Sequence, residues 1–348
     1  MRKTVLASAL AGVVAVVLAA PVHGQTAAQK KTAAAPKASA IPRTADGHPD
    51  LTGVYTNATA VPLARPADLG AKEFYTSMEE KAQLDAARAA AARAGGGGRG
   101  GRGGGAAAAN IDPETGQPAL QVHYDTSQFG LSGNTIVRSP SLRTSILTGP
   151  EGKLPALTPE GTKRQAERRA FTNAHQWDGP ETRPLGERCI MWPAEGPPMM
   201  PEGYNSDLEI VQGPGTVSVM QEMIHDTRVI PADNSPHLPA SVKQWFGDSR
   251  GHWEGDTFVV ETTNFSDKTS IQNTPTSDKL KVIEKFSRID ADTVKYEFTV
   301  DDPGTWVKPW SGEVSMTKVD TPMYEYACHE GNYGMANNLS GARATEKK

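Results

Sequence analysis

Cysteine is nearly absent from this chain: Cys189 and Cys328 are the only two in 348 residues, and 139 positions separate them. That spacing excludes the closely set cysteines of zinc and dithiol redox motifs. No glycine-rich phosphate loop follows a strand and opens a helix, and no G-x-S-x-G elbow occurs, so no nucleotide cofactor and no α/β-hydrolase is indicated. Strand and helix patterns do not alternate, which argues against a doubly wound parallel sheet. A surplus of positive charge is missing too. The formal net charge is −4, which gives no support for nucleic acid or an anionic membrane as a partner. A small-molecule ligand or substrate, or a neutral polymer, is the partner class left standing.

What is present begins with MRKTVLASALAGVVAVVLAAPVHGQ, two basic residues, a largely apolar run and a compact pre-cleavage segment. This reads as a signal peptide over residues 1–24. The apolar run falls short of the roughly 20 residues a bilayer span needs, so no stable membrane span is expected after cleavage, and the mature protein is expected to be periplasmic or secreted. Cleavage would remove Arg2 and Lys3 and no acid, taking the formal charge from −4 to −6. In an exported chain the two cysteines are free to oxidise. A Cys189–Cys328 disulfide is the leading reading, worth about 3 to 5 kcal/mol by the chain-entropy model, with a thiol nucleophile as the alternative.

Composition divides the rest. Residues 25–41, rich in Ala, Lys and Thr, read as a disordered leader. An N-terminal arm follows over 42–94, with a short strand in PDLTGVY and a helix over 78–94. The glycine-rich stretch 95–109 reads as a linker. Residues 110–204 form a loop-rich segment whose one helix starts at a Thr158 cap, with Pro159 and Glu160 in its first turn. From 205 to 335 the texture is that of a β domain: short β-branched and aromatic runs joined by turns at Gln212–Gly215, Glu254–Asp256 and Asp290–Asp292. Residues 336–348 remain as a C-terminal tail.

Roughly eight hairpin-joined strands predict a mainly β fold, an antiparallel β-barrel or barrel-like sandwich, with a calycin-like closure among the allowed shapes. In KVIEKFSRI, Val282, Glu284, Phe286 and Arg288 share one face, and Ile283, Lys285, Ser287 and Ile289 the other. Both faces are mixed, which predicts inward polar groups and a ligand cavity inside the barrel.

PRTADGHPDLTGVY (42–55), YNSDLEIVQGPG (204–215), the segment 237–269 around GDSRGHWEGDT, DDPGTWVKPWSGEVSMTK (301–318) and YEYACHEGNYGM (324–335) together resemble a family of exported bacterial proteins of unassigned biochemical function. The resemblance implies export and brings no activity and no catalytic residue to carry over.

Function must therefore be argued from residues. EMIHDTR offers His225 as a general base with Glu222, and Arg228 to bind a carbonyl or anion. As a continuous strand it would place His225 with Met223, opposite Glu222, Asp226 and Arg228. A structural histidine is the competing reading. In GDSRGHWEGDT, Arg250, His252 and Glu254 share a face and Trp253 takes the other, which suits the rim of a binding site or a plain surface hairpin. His329 and Glu330 follow Cys328 directly, so a disulfide there would anchor them. A divalent metal held by His225, His252 and His329 with one glutamate fits the donor chemistry, though no short-range ligand spacing supports it. Trp306, Trp310 and Tyr326 supply aromatic surface for stacking a ligand or for filling a core. Two functions follow as expectations: binding of a small apolar or aromatic ligand in a barrel cavity, or a His/Glu-dependent lyase, isomerase or hydrolase. A purely structural envelope protein is the third.

Overall fold

The computed structural model describes residues 41–95, 140–201 and 205–346. The leader, the glycine-rich stretch beyond residue 95 and most of the segment preceding 140 lie outside them. Strand β1 (Gly53–Thr56) precedes helix α1 (Ser77–Gly95) and helix α2 (Pro159–His175). Then come β2 (Asp207–Gly213), β3 (Thr216–Gln221), β4 (Thr227–Pro231), β5 (Asp248–Glu254) and β6 (Thr257–Thr263). A two-residue pair, β7 (Ser270–Ile271) and β8 (Thr274–Pro275), precedes β9 (Lys281–Arg288), β10 (Thr293–Asp301) and β11 (Trp310–Lys318). Helix α3 (Gly334–Glu346) occupies the stretch read as a tail.

Nine strands form one antiparallel sheet in the order β4-β3-β2-β1-β11-β10-β9-β6-β5, nearly closed into a barrel. Neighbours in the sequence mostly pair as hairpins. β1 instead pairs with β2 on one side and β11 on the other and so joins the two halves of the sheet, β6 pairs with β9, and the consecutive strands β4 and β5 form the two ends.

Strict alternation builds the core. Phe258 and Val260 on β6, Val282 and Phe286 on β9, Val294, Tyr296, Phe298 and Val300 on β10, and Leu208 and Ile210 on β2 are all buried. Each such side chain contributes about 1.5 to 3 kcal/mol by leaving water. Cross-strand register sets Trp253, Phe258, Phe286 and Tyr296 directly opposite one another in sequence across four strands. With Phe298, Trp310 and Trp306 they form a chain of rings whose successive centroids are 5.1 to 6.3 Å apart. Glycines make room for them: a Cβ at Gly251 would lie 2.3 Å from Phe258 Cζ, and one at Gly312 2.2 Å from Phe298 Cζ.

These rings occupy the inside of the barrel, so the expected ligand cavity there gives way to a filled core. Trp306 and Trp310, 2% and 6% exposed, are core residues and have no face to offer a ligand. The inward polar groups foreseen on β9 do point inward, but each meets protein. Glu284 takes a two-bond fork from Arg228 on β4, at 2.8 and 2.9 Å, and a third bond from the Tyr296 hydroxyl at 2.8 Å. Arg228, offered above as a ligand-binding cation, is therefore a brace between strands that are not neighbours in the sheet. Arg288 donates to the Tyr55 hydroxyl at 3.0 Å and to backbone carbonyls of Asp50, Asp290 and Ala291.

The helices sit outside the sheet. Thr158 caps α2 by accepting from Gly161 N at 2.9 Å, and Arg164 ties the helix to the Gly304 carbonyl and the Thr305 hydroxyl. Residues 194–200 form a buried insertion whose Met199 N–H donates to the Tyr296 hydroxyl at 2.9 Å.

Candidate functional site

Beside that insertion lies a cleft of about 400 Å³. One wall is the strand-like segment 59–63, hydrogen-bonded to residues 146 and 147 through Ile146 N to Pro62 O and Leu147 N to Leu63 O. It supplies Val61, Leu63 and Ile146. The facing wall comes from the insertion: Pro193, Ala194, Met200 and Pro201. The rim is polar. It carries Thr59 and, from the β7–β8 turn, Gln272 and Asn273. Among the described residues, no ionisable side chain lines this space. A concave surface that joins apolar side chains to a few placed polar groups is a common form of small-molecule site.

The residues singled out in the sequence lie elsewhere. The continuous strand expected through EMIHDTR is broken: Met223–His225 forms a short 3-10 turn, with Ile224 and His225 at φ of 59° and 54°. The alternation argument therefore fails there. His225 is exposed and its Nδ1 lies 2.7 Å from the Tyr326 carbonyl, a backbone contact that fastens the C-terminal segment to this turn. Glu222 stands beside Asp207 at the adjoining ends of β2 and β3, its N–H donating to the Asp207 carbonyl at 2.9 Å. Burial holds the Glu222 carboxyl above its ordinary value, and the charge of Asp207 adds to the rise. Burial raises Asp207 as well, opposed by a bond from the Thr56 hydroxyl.

Arg250, His252 and Glu254 do share a face, as alternation foresees, and Trp253 takes the opposite one. Their face is the outer one. His252 and Glu254 are exposed and 3.0 Å apart, and neither lines the cleft. Arg250 pairs with Asp248 at 3.0 Å. Trp253 turns inward and stacks on His48, with ring centroids 4.4 Å apart and planes 7° from parallel. His329 and Glu330 are exposed, and their neighbour Cys328 forms the expected disulfide with Cys189, Cα to Cα 5.9 Å. Tyr326 contributes its carbonyl to His225 from a half-buried position. Among the described residues, no group of three or more His, Cys, Asp or Glu side chains is placed to hold a metal, so His225, His252 and His329 form no common site.

Two features escaped the sequence reading. His237 lies between carboxylates, its Nδ1 2.8 Å from Asp248 Oδ2 and its Nε2 3.5 Å from Glu261 Oε1. Asp248 is buried and also accepts the Leu238 N–H. Through its Nδ1 contact to Asp248, His237 straps the loop after β4 onto β5. The second feature is the turn Gln272-Asn273. Its signal was there to be found, two residues between the pairs Ser-Ile and Thr-Pro, the length of a tight hairpin.

Comparison of the chain with family models, with curated proteins and with solved structures finds no match. The functional reading therefore rests on the cleft and its chemistry.

Proposed function

We propose that this protein binds a small apolar or aromatic ligand in the cleft between the 59–63 segment, the 193–201 loop and the β7–β8 turn. The observation that carries the reading is the lining: seven of its ten described residues are apolar, and the other three, Thr59, Gln272 and Asn273, carry neutral polar side chains. A volume of about 400 Å³ lies within the range of roughly 300 to 1,000 Å³ common to small-molecule sites. The site differs from the barrel cavity first expected, because the aromatic chain fills the barrel. Work outside the cytoplasm accords with the disulfide, since such bonds persist in oxidising compartments. Among the described residues no helix is long and apolar enough to cross a membrane.

The acid–base alternative draws no support from the placement of His225, His252 and His329. The test of the binding reading is titration with the neutral fluorophore N-phenyl-1-naphthylamine. Saturable binding is expected, and Val61→Trp, which fills the cleft from a half-buried position, should weaken it at least tenfold with an unchanged urea midpoint. Absence of saturable binding, or binding indifferent to Val61→Trp, would overturn the reading.

A further inference from the structure

The ligand's polar chemistry can be taken further, on the basis of the binding reading above. We infer that the cleft selects an uncharged ligand bearing a carboxamide, and that Gln272 is the residue that reads it.

Three observations converge. The first is that no described residue of the lining carries an ionisable side chain. A charged ligand would give up hydration there with no counter-charge from these residues. The second is the state of the rim. The Thr59 hydroxyl already accepts the Val61 N–H at 3.2 Å. The side-chain amides of Gln272 and Asn273 line the cleft and make no hydrogen bond to another described residue. Together with the Thr59 O–H, which still has its proton to donate, they are the polar groups left to address a ligand.

The third is where Gln272 stands. Residues 272 and 273 have φ of 50° and 60°, the two left-handed positions of a two-residue hairpin turn. Glycine, asparagine and aspartate take such positions readily, because they lack a long side chain or bond locally to the backbone. Glutamine does neither, and the left-handed conformation is strained for an ordinary side chain. Asn273 fits this turn by its own chemistry. Gln272 does not, and its side chain satisfies nothing in the surrounding protein. A residue that breaks a local rule without structural return marks a place where function sets the choice.

A primary amide offers one acceptor and two donors. Its natural complement is another amide edge, joined by a reciprocal pair of N–H to O=C bonds. Two such neutral bonds together change affinity by roughly tenfold or more. The rest of the ligand lies against Val61, Leu63, Ile146 and Met200, which call for an alkyl or aryl body.

The experiment compares 4-phenylbutanamide, its near-isosteric ketone 5-phenylpentan-2-one, and 4-phenylbutanoate, each displacing N-phenyl-1-naphthylamine from wild type and from Gln272→Gly. Gln272→Gly should weaken the amide roughly tenfold and the ketone no more than about threefold, since the ketone can accept one bond and donate none. The carboxylate should bind more weakly than the amide to both proteins. Because glycine is at ease at φ of 50°, the thermal midpoint of Gln272→Gly should hold or rise, which separates lost recognition from lost folding. Equal effects on amide and ketone, or a carboxylate binding as tightly as the amide, would overturn the inference while the binding reading stands. If neither the fluorophore nor any of the three compounds binds, both fall.

Discussion

Arg228 and Glu284 place opposite charges in the middle of a packed barrel, with side-chain exposures of 6% and 0%. Burial works against the guanidinium charge, and Glu284 beside it outweighs that penalty, so the net effect holds its pKa above the ordinary value. Burial also drives the Tyr296 hydroxyl well above its usual range, which keeps it a donor to Glu284. Such pairs are costly to break and add little over an apolar replacement. Arg228→Met should therefore lower stability by about 3 to 5 kcal/mol, by leaving a buried carboxylate with Tyr296 as its one remaining side-chain donor. The double variant Arg228→Met, Glu284→Leu should regain a large part of the loss. Urea unfolding of the three proteins checks this; a single variant costing under about 1 kcal/mol would show that Glu284 finds water or another partner. Period-2 alternation put Glu284 and Arg288 on one face with Val282 and Phe286, and that face is the buried one, because a pleated strand dictates which residues share a side. It could not name their partners. Arg228 and Glu284 are 56 positions apart, and only closure of the sheet brings them together.

Local elements were legible wherever a residue carries its own geometry. Thr158 caps α2 as its position before Pro159 foretells, and the three hairpin turns fall at the stretches marked by glycine, proline and aspartate. The kink at Ile224 and His225 was not legible, because no glycine or asparagine announces its positive φ values. The C-terminal segment was legible in its anchor alone. Beyond Lys318 it is held by the Val319 N–H to the Val54 carbonyl, by the disulfide, by the His225 contact to Tyr326, and by Arg343 donating to the Trp177 and Asp178 carbonyls. Helix α3 buries no residue, and Tyr324 and Tyr333 are 74% and 71% exposed. Little apolar area therefore ties this segment to the barrel. A loop of 139 residues would give a chain-entropy stabilisation of roughly 5 kcal/mol if both ends belonged to one cooperative unit. When one end can detach in the folded state, the native ensemble gains freedom as well, and the difference shrinks. Cys328→Ser is thus expected to cost clearly less than that figure in global unfolding, while limited proteolysis cuts selectively after residue 319. A full loss of about 5 kcal/mol without local cleavage would show that α3 is part of the core unit.

At the scale of the whole molecule, closure distinguishes the two ends of the sheet from its interior. β4 and β5 terminate the strand order and are not paired by a ladder, yet they meet through side chains: a Cβ at Gly251 on β5 would come within 3.1 Å of Ile230 Cγ2 on β4 as well as 2.3 Å from Phe258. Gly312 faces an equally tight ring, Phe298, but there β11 is hydrogen-bonded on both sides, to β10 and to the 146–148 segment. The same added methyl should therefore act differently at the two glycines. Overpacking costs about 1 to 3 kcal/mol in either case. At Gly251 the strain can be relieved by parting β4 from β5, since no backbone bonds resist. At Gly312 backbone bonds on both sides hold the strand, so the strain passes into the rest of the barrel. Hydrogen exchange followed by mass spectrometry should show Gly251→Ala accelerating exchange in β4 and β5 ahead of the rest, whereas Gly312→Ala should raise exchange across the sheet in step with its loss of global stability. If both variants behaved alike, the seam would be as firmly joined as the laddered strands, and side-chain packing alone would be sufficient to close this barrel.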